Sequence, residues 1–378
     1  AITENSVGKG LCCDIAVDLV KTIRHIQEGR YIETDGIPPA DGMAPIDDGI
    51  LKCEDGCVLD WNKDRRLISP TYQVPAFLIP ITDVWRQILR RTIEYCADCC
   101  KIPIQRIDYW PDGVEFIGLI SHDTDGNDEA KALEMLNRVN KFGIQSTWCL
   151  ISPGFSPELC QRILNSGHEL AFHFDAQSFS LPDIFSFDTL QMQLEETAEH
   201  TGISSFYSNK NHYTRWERKN DFFEWCEKVG IKIDQSKGPS KCGTQGFPFG
   251  TAHPWRAMNS QGEFIDCYEV GFVSQDLGFQ GPIDTGEELL EACRSVQGIC
   301  HLIFHPAHVR DRKVESAFGN FIDSAKKKGA RFMRSDEIGK WVDLRKKYIE
   351  SLQWADISGL KLLTRNCSEH AWENTTTD

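Results

Sequence analysis

The sequence predicts an α/β fold built on a parallel sheet, and three observations carry that expectation. From Val114 onward, short apolar runs of strand length alternate with amphipathic runs of helix length. Strands separated by helices call for a parallel sheet with helices outside it. Acidic and imidazole side chains recur where the strands end, and in parallel folds the loops there converge on one rim. The chain of 378 residues, 40% hydrophobic and 26% charged, also holds enough apolar material for a sizeable core. At about 150 residues per domain, that length suggests two or three units. The texture places them at 1–112, an N-terminal mostly helical and irregular extension; 113–345, the α/β body; and 346–378, a tail.

Taken in order, the extension opens with a helical pattern of Ile15, Leu19, Val20, Ile23 and Ile26. The Gly, Pro and Asp-rich stretch IPPADGMAPIDDG then reads as irregular. A second amphipathic helix follows Asp83, with Val84, Ile88, Leu89 and Tyr95 at helical spacing. DYWPDG is a turn into the body. There VEFIGLIS is a strand ending in SHDTDGND, and a helix carrying Ala132, Leu133, Leu136 and Val139 stops at Gly143. IQSTWCLI is the next strand. SPELCQRILNSG is a helix with Ser156 and Pro157 at its start and Gly167 at its stop, and HELAFHF is a third strand. Further units run through LQMQLEETAEHTG, DFFEWCEKVG–IKIDQS, EELLEACRSVQG–ICHLIFH and VESAFGNFIDSAKKKG–ARFM. Beyond Trp341 one more helix is expected, then GLKLLTRN as an isolated strand.

Composition excludes several functions. Lys plus Arg number 41 against 56 for Asp plus Glu, a net charge of −15, which argues against broad electrostatic attraction to nucleic acid or an anionic membrane. No run approaches the roughly 20 apolar residues of a membrane span, and AITENSVGKG has no signal-peptide pattern. The 15 cysteines form no regular framework, so reduced thiols and a cytoplasmic setting are expected. Cys53 and Cys57, with Cys96, Cys99 and Cys100, could pair around a structural zinc, though thiols in apolar segments more often serve as core. GxGxxG, Walker and GxSxG loops are absent.

The chemistry-bearing residues gather at four strand ends: His122, Asp123 and Asp125; His173 and Asp175; Asp234; and His305 with His308. NKNHYTRW adds His212 and Arg215. Each has an ordinary reading beside the functional one. Asp123 and Asp125 could cap the next helix, HPAH could be a proline turn, and His168 a turn residue. Together, however, an aspartate and two imidazoles make an N/O site suited to Zn²⁺ or another divalent ion. Asp123 would then take a proton from water and His305 would give one to a leaving group. Asp234 is expected to orient an imidazole. GFPFGTAHPW, which ends in Trp255 and contains His253, could wall a glycan cleft or be a tight turn with core aromatics, and Arg215 is a separate candidate for contact with substrate.

LISHDTDG, SGHELAFHFDA and ICHLIFH, in this order between Val114 and Trp341, resemble the motifs of the polysaccharide deacetylase family. The resemblance implies an irregular (β/α)7 barrel and metal-dependent removal of acetyl groups from an N- or O-acetylated sugar or polysaccharide. It makes Asp123 the base, Asp125 and His173 metal ligands, and His305 the general acid. Two features depart from the family pattern. Gln177 stands where a second metal histidine is usual, and NKNHYTRW replaces an Arg-Pro-Pro-Tyr loop. His212 could complete the metal triad, with Asp175 or Gln177 as competitors. A C–N hydrolase of another small amide and a glycan-binding relative without turnover stay open. The sequence sets no oligomeric state.

Overall fold

A computed structural model describes residues 2–8, 10–42, 49–68, 73–104, 106–177 and 184–352. GLKLLTRN and part of IPPADGMAPIDDG lie outside these residues. The extension contains β1 (Ile2–Val7), β2 (Gly10–Ile15), α1 (Leu19–Glu28), β3 (Arg66–Leu67), β4 (Pro75–Ala76) and α2 (Ile81–Cys100). The body runs β5 (Phe116–Asp123), α3 (Glu129–Lys141), β6 (Thr147–Ile151), α4 (Pro157–Asn165), β7 (Glu169–Phe174), α5 (Phe187–Thr201), β8 (Ser208–Asn211), α6 (Asp221–Val229) and β9 (Ile233–Asp234). It continues with β10 (Trp255–Met258), β11 (Phe264–Glu269), β12 (Ser274–Gln275), α7 (Thr285–Ser295), β13 (Ile299–Ile303), α8 (Arg312–Lys327), β14 (Ala330–Phe332) and α9 (Ser335–Ser351).

Parallel pairing runs β9-β8-β7-β6-β5-β13. One bent stretch joins the two ends of this array: β11 pairs with β9 through Tyr268↔Ile233, and β12 pairs with β13 through Ser274↔Leu302. Between them, Val270 N–H donates to the Asp234 carbonyl and Val273 N–H to that of His301. The result is a mixed sheet curled into an irregular barrel, with the chain itself spanning the seam and helices around it. β14 wedges in beside the first half of β5, while β6 pairs with its last three residues. A Cβ at Gly118 would lie 2.7 Å from the Phe332 ring, so glycine is what lets β14 approach.

Every residue of β5, β6 and β7 is buried, as expected of strands covered on both faces. β8 is different. Its sequence SNKN has no apolar residue, which is why the sequence reads as a loop there, yet all four positions are buried. Its polar side chains are satisfied inside the barrel.

The extension contains α1 and α2 as expected, and adds two antiparallel two-stranded sheets. Backbone bridges Ile32↔Arg218, Lys52↔Arg215 and Phe77↔Gly246 stitch it to the barrel. At Gly246 (φ +96) a Cβ would meet the Phe77 carbonyl oxygen at 2.1 Å. The Cys53 thiol donates to Ser236 O and that of Cys57 to Pro248 O. Burial pushes both thiols up, Cys57 to about 12, and among the described residues they join no cluster close enough to hold a metal ion, so both pack as core. On α2, Leu89, Ile93 and Tyr95 are exposed: the helix lies at the edge of the molecule, and only part of its apolar stripe is covered. α9 runs through the boundary expected at residue 345.

The end of the barrel opposite the site is plugged by Glu169. Its carboxylate accepts from the Thr147, Ser208 and Ser335 hydroxyls and from Asp336 N–H at the start of α9. Burial, then the neighbouring Asp336, raises its pKa from 4.5 to about 7 despite these donors. A carboxyl with a raised folded-state pKa favours folding while protonated and loses that contribution as pH rises. Stability therefore falls between about pH 4.5 and pH 7 from this group. Thermal melts of Glu169→Gln across that range should show a flatter dependence than the parent, at a cost of about 1–3 kcal/mol for the misplaced amide donors.

Candidate functional site

The rim begins where β5 runs out. Asp123 is its last residue, and Asp125 follows in a left-handed conformation (φ 40) that Asp tolerates better than most residues. Thr124 turns the other way. Its N–H donates to Cys149 O, and its hydroxyl accepts from Ile151 N–H, pinning the loop to β6. Neither aspartate caps α3. That role falls to Asp128, whose carboxylate accepts from Lys131 N–H.

Asp125, His173 and His212 come together, with ligand atoms all within 4.8 Å of one another. His173 Nδ1–H donates to the Lys210 carbonyl (2.9 Å), leaving Nε2 as the lone-pair nitrogen aimed into the rim. His212 is held the same way by Asp175, at 3.1 Å from Nδ1, and Gln193 of α5 fixes Asp175 through its backbone N–H and carbonyl. His173 Nε2 and Asp125 Oδ1 are buried without a hydrogen-bond partner and lie 3.4 Å apart; His212 Nε2 is 3.7 Å from the same oxygen. Ligands at about 2.0–2.1 Å from a tetrahedral ion would be about 3.3 Å from each other. The donor set and its orphaned atoms thus fit a divalent cation, with Asp175 orienting His212 from behind. Gln177 donates its backbone N–H to Asp175, and its side-chain nitrogen is buried without a partner.

Beside this triad, Lys210 Nζ donates to Asp123 Oδ1 at 3.0 Å and to Ser121 Oγ at 2.5 Å. The Ser121 hydroxyl meets His301 Nε2 at 2.8 Å, and His301 Nδ1 lies 3.2 Å from Val270 O. Burial alone would raise the Asp123 pKa, but the Lys210 ammonium, helped by His173 and His305, holds it well below the usual carboxylate range. Asp123 Oδ2 sits 3.9 Å from both His173 Nε2 and His305 Nε2.

His305 opposes it from the end of β13. Its Nδ1 meets Asp276 Oδ2 at 2.5 Å, and its backbone N–H donates to Asp276 Oδ1. Burial works against protonation, yet Asp276, with Asp123 and Asp125, raises the imidazole to about 10. A carboxylate and an imidazolium thus face each other across a cleft of about 540 Å³, lined also by Lys52, Tyr213, Phe279 and His308. Phe279 and Tyr213 are more than half exposed, and Phe279 stacks on His308 with ring centres 4.2 Å apart.

Three expected residues lie elsewhere. Asp234 orients no imidazole: it accepts from Asn209 and Ser236, because its neighbours on the sheet are the polar side chains of β8. Arg215 donates to the carbonyls of Ala176 and Leu51 and pairs with Glu217, stapling the loop to the extension rather than facing the cleft. Trp255 is buried in the core, edge-on to Phe223, and His253 hydrogen-bonds Val296 O. That loop is therefore core packing, not a cleft wall. His122 and His168 are also structural, bonded to Phe304 O and to Ser146 with Asn140. Lys210 and Asp276 were missed. Lys210 had a signal, lying two residues before a ligand candidate, whereas Asp276 follows a two-residue strand with no sequence pattern of its own.

Fold and site together give a barrel with a candidate cation triad, a lysine-braced carboxylate and an aspartate-held imidazole on one rim. No family model and no curated protein matches the chain. Among solved structures it is similar to a Mycobacterium smegmatis protein assigned as a polysaccharide deacetylase, with TM-score 0.47 and 18% identity over 70% of this chain and 98% of that one. It is also similar to PuuE allantoinase (TM-score 0.46, 13% identity, 63% and 93%) and to a family 4 acetyl xylan esterase from Clostridium thermocellum in complex with a cobalt ion (TM-score 0.33, 13% identity, 59% and 89%). No helix among the described residues is long and apolar enough to cross a membrane.

Titration with Zn²⁺ tests the triad. His173→Ala and His212→Ala should lose the stoichiometric site. Asp175→Asn should weaken it about 10- to 100-fold, and Asp123→Asn should retain one equivalent. Unchanged affinity in His212→Ala would remove His212 as a ligand.

Proposed function

We propose that the protein is a metal-dependent hydrolase that removes acetyl groups from an N- or O-acetylated sugar. One observation carries this reading: Asp125, His173 and His212 converge, with Asp125 Oδ1 and His173 Nε2 buried and without partners, beside a lysine-braced carboxylate and an aspartate-held imidazolium. A divalent ion held there, Zn²⁺ being the natural fit to one carboxylate and two imidazoles, would polarise the acetyl carbonyl and acidify water. The side chains divide the remaining work. Asp123 accepts the proton of the attacking water; Lys210 keeps it ionised beforehand and fixes the oxygen that faces inward. His305 donates from Nε2 to the departing nitrogen or oxygen, and Asp276 holds the ring and stabilises its charged form. With both proton-transfer groups present, turnover is favoured over simple glycan binding. Exposed Tyr213 and Phe279 offer flat apolar faces of the kind that pack against sugar rings.

Acetate release from acetylated chitooligosaccharides and acetylated xylan is the direct test. Asp123→Asn and His305→Ala should each lower kcat by about 10²–10⁴, and chelation should abolish turnover with recovery on adding Zn²⁺. Phe279→Ala should raise KM for oligosaccharides while leaving hydrolysis of a small acetyl ester unchanged. A metal-loaded protein that releases no acetate from any of these, yet hydrolyses a small cyclic or linear amide, would replace the sugar reading.

A further inference from the structure

The outermost element of the extension is the β1–β2 hairpin. All six residues of β1 are exposed, and among the described residues β1 pairs with β2 alone. The hairpin meets the rest of the chain along α2, where the Tyr95 hydroxyl donates to Glu4 Oε2 at 3.0 Å. One residue along, the Cys96 thiol donates to Cys13 Sγ with the sulfurs 3.6 Å apart. Both are half-buried. A crevice of about 440 Å³ opens onto Cys13 between the hairpin and α2, lined by Ile2, Glu4, Ile88 and Tyr95.

Among the described residues two other thiol pairs touch, Cys226 with Cys267 and Cys293 with Cys300. All four of those residues are fully buried in the barrel wall, closed to any oxidant in solution. Cys12, Cys99 and Cys100 are exposed. Cys13 and Cys96 combine what each of these groups lacks, since they are neighbours, neither is fully buried, and the crevice reaches Cys13.

We propose that Cys13 and Cys96 are an oxidisable dithiol that closes to a disulfide and fastens the hairpin covalently to α2. With a peroxide as oxidant, one thiol attacks an oxygen of H₂O₂, giving a sulfenic acid and one water. The second thiol then attacks that sulfur and expels the oxygen as a second water, so two thiols and one peroxide give one disulfide and two waters. Closure needs the sulfurs to approach from 3.6 Å to about 2.05 Å, a movement that the thinly attached hairpin can supply. The bond would join residues far apart in sequence, and its main effect is to stop the hairpin detaching.

The test uses the full chain, exposed to a small excess of hydrogen peroxide, alkylated, and mapped by mass spectrometry without reduction. The expected product joins the peptide containing Cys13 to that containing Cys96, with both sites lost from the alkylated pool and recovered by dithiothreitol. Cys13→Ser and Cys96→Ser should each abolish the cross-link, while Cys12→Ser, Cys99→Ser and Cys100→Ser retain it. Limited proteolysis should release the hairpin segment from reduced protein and not from oxidised protein. Pairing of Cys12 with Cys13, pairing of Cys96 with Cys99 or Cys100, or full alkylation of both sites under conditions that oxidise Cys99 would overturn the proposal.

Discussion

Lys210 is the residue on which the rest of the site depends. Its carbonyl oxygen accepts from His173 Nδ1, which sets the tautomer of a candidate metal ligand, and its ammonium holds Asp123 and Ser121. One position on a four-residue strand thereby governs both the lone pair offered to a cation and the ionisation of the neighbouring carboxylate. A carboxylate this deeply buried is costly by several kcal/mol unless paired and hydrogen-bonded. The pairing is internal and nearly solvent-free, so salt screens it much less than it would a surface ion pair.

The barrel makes this possible by giving up apolar interior near its rim. Ser121, Asn209, Asn211, Asp234 and His301 are all buried, and each is bonded to another side chain or to backbone. Apolar packing is displaced outward, to the helices that cover the strands, where Phe172, Trp148, Leu136 and Phe318 belong to the largest core cluster. The polar interior fixes geometry, while the shell between strands and helices supplies the hydrophobic stabilisation.

The alternation of strands and helices was legible in the sequence because most of these strands are short apolar runs and most helices start and stop with recognisable caps. Ser156 at α4 and Gly202 after α5 behave as their residue types predict. β8 was not legible, since hydrophobic periodicity has no purchase on Ser-Asn-Lys-Asn. That gap conceals Lys210, although His212, two residues on, stands out. Asp123, Asp125, His173 and His305 were readable from strand ends and motif resemblance. Asp276 was hidden because its partner His305 is 29 residues away and only the strand pairing of β12 with β13 joins them. Asp234, Arg215 and Trp255 sat at plausible sequence positions, but the direction in which a side chain points is set by local backbone twist that composition does not encode.

The threonine between the two rim aspartates has a consequence for how this arrangement could change over time. Deleting Thr124 would make the acids adjacent, but it would also cut both of its hydrogen bonds to β6 and release the left-handed turn that carries Asp125. The spacing and the anchoring are one feature, so closing the gap between the acids by deletion would also detach the loop from β6.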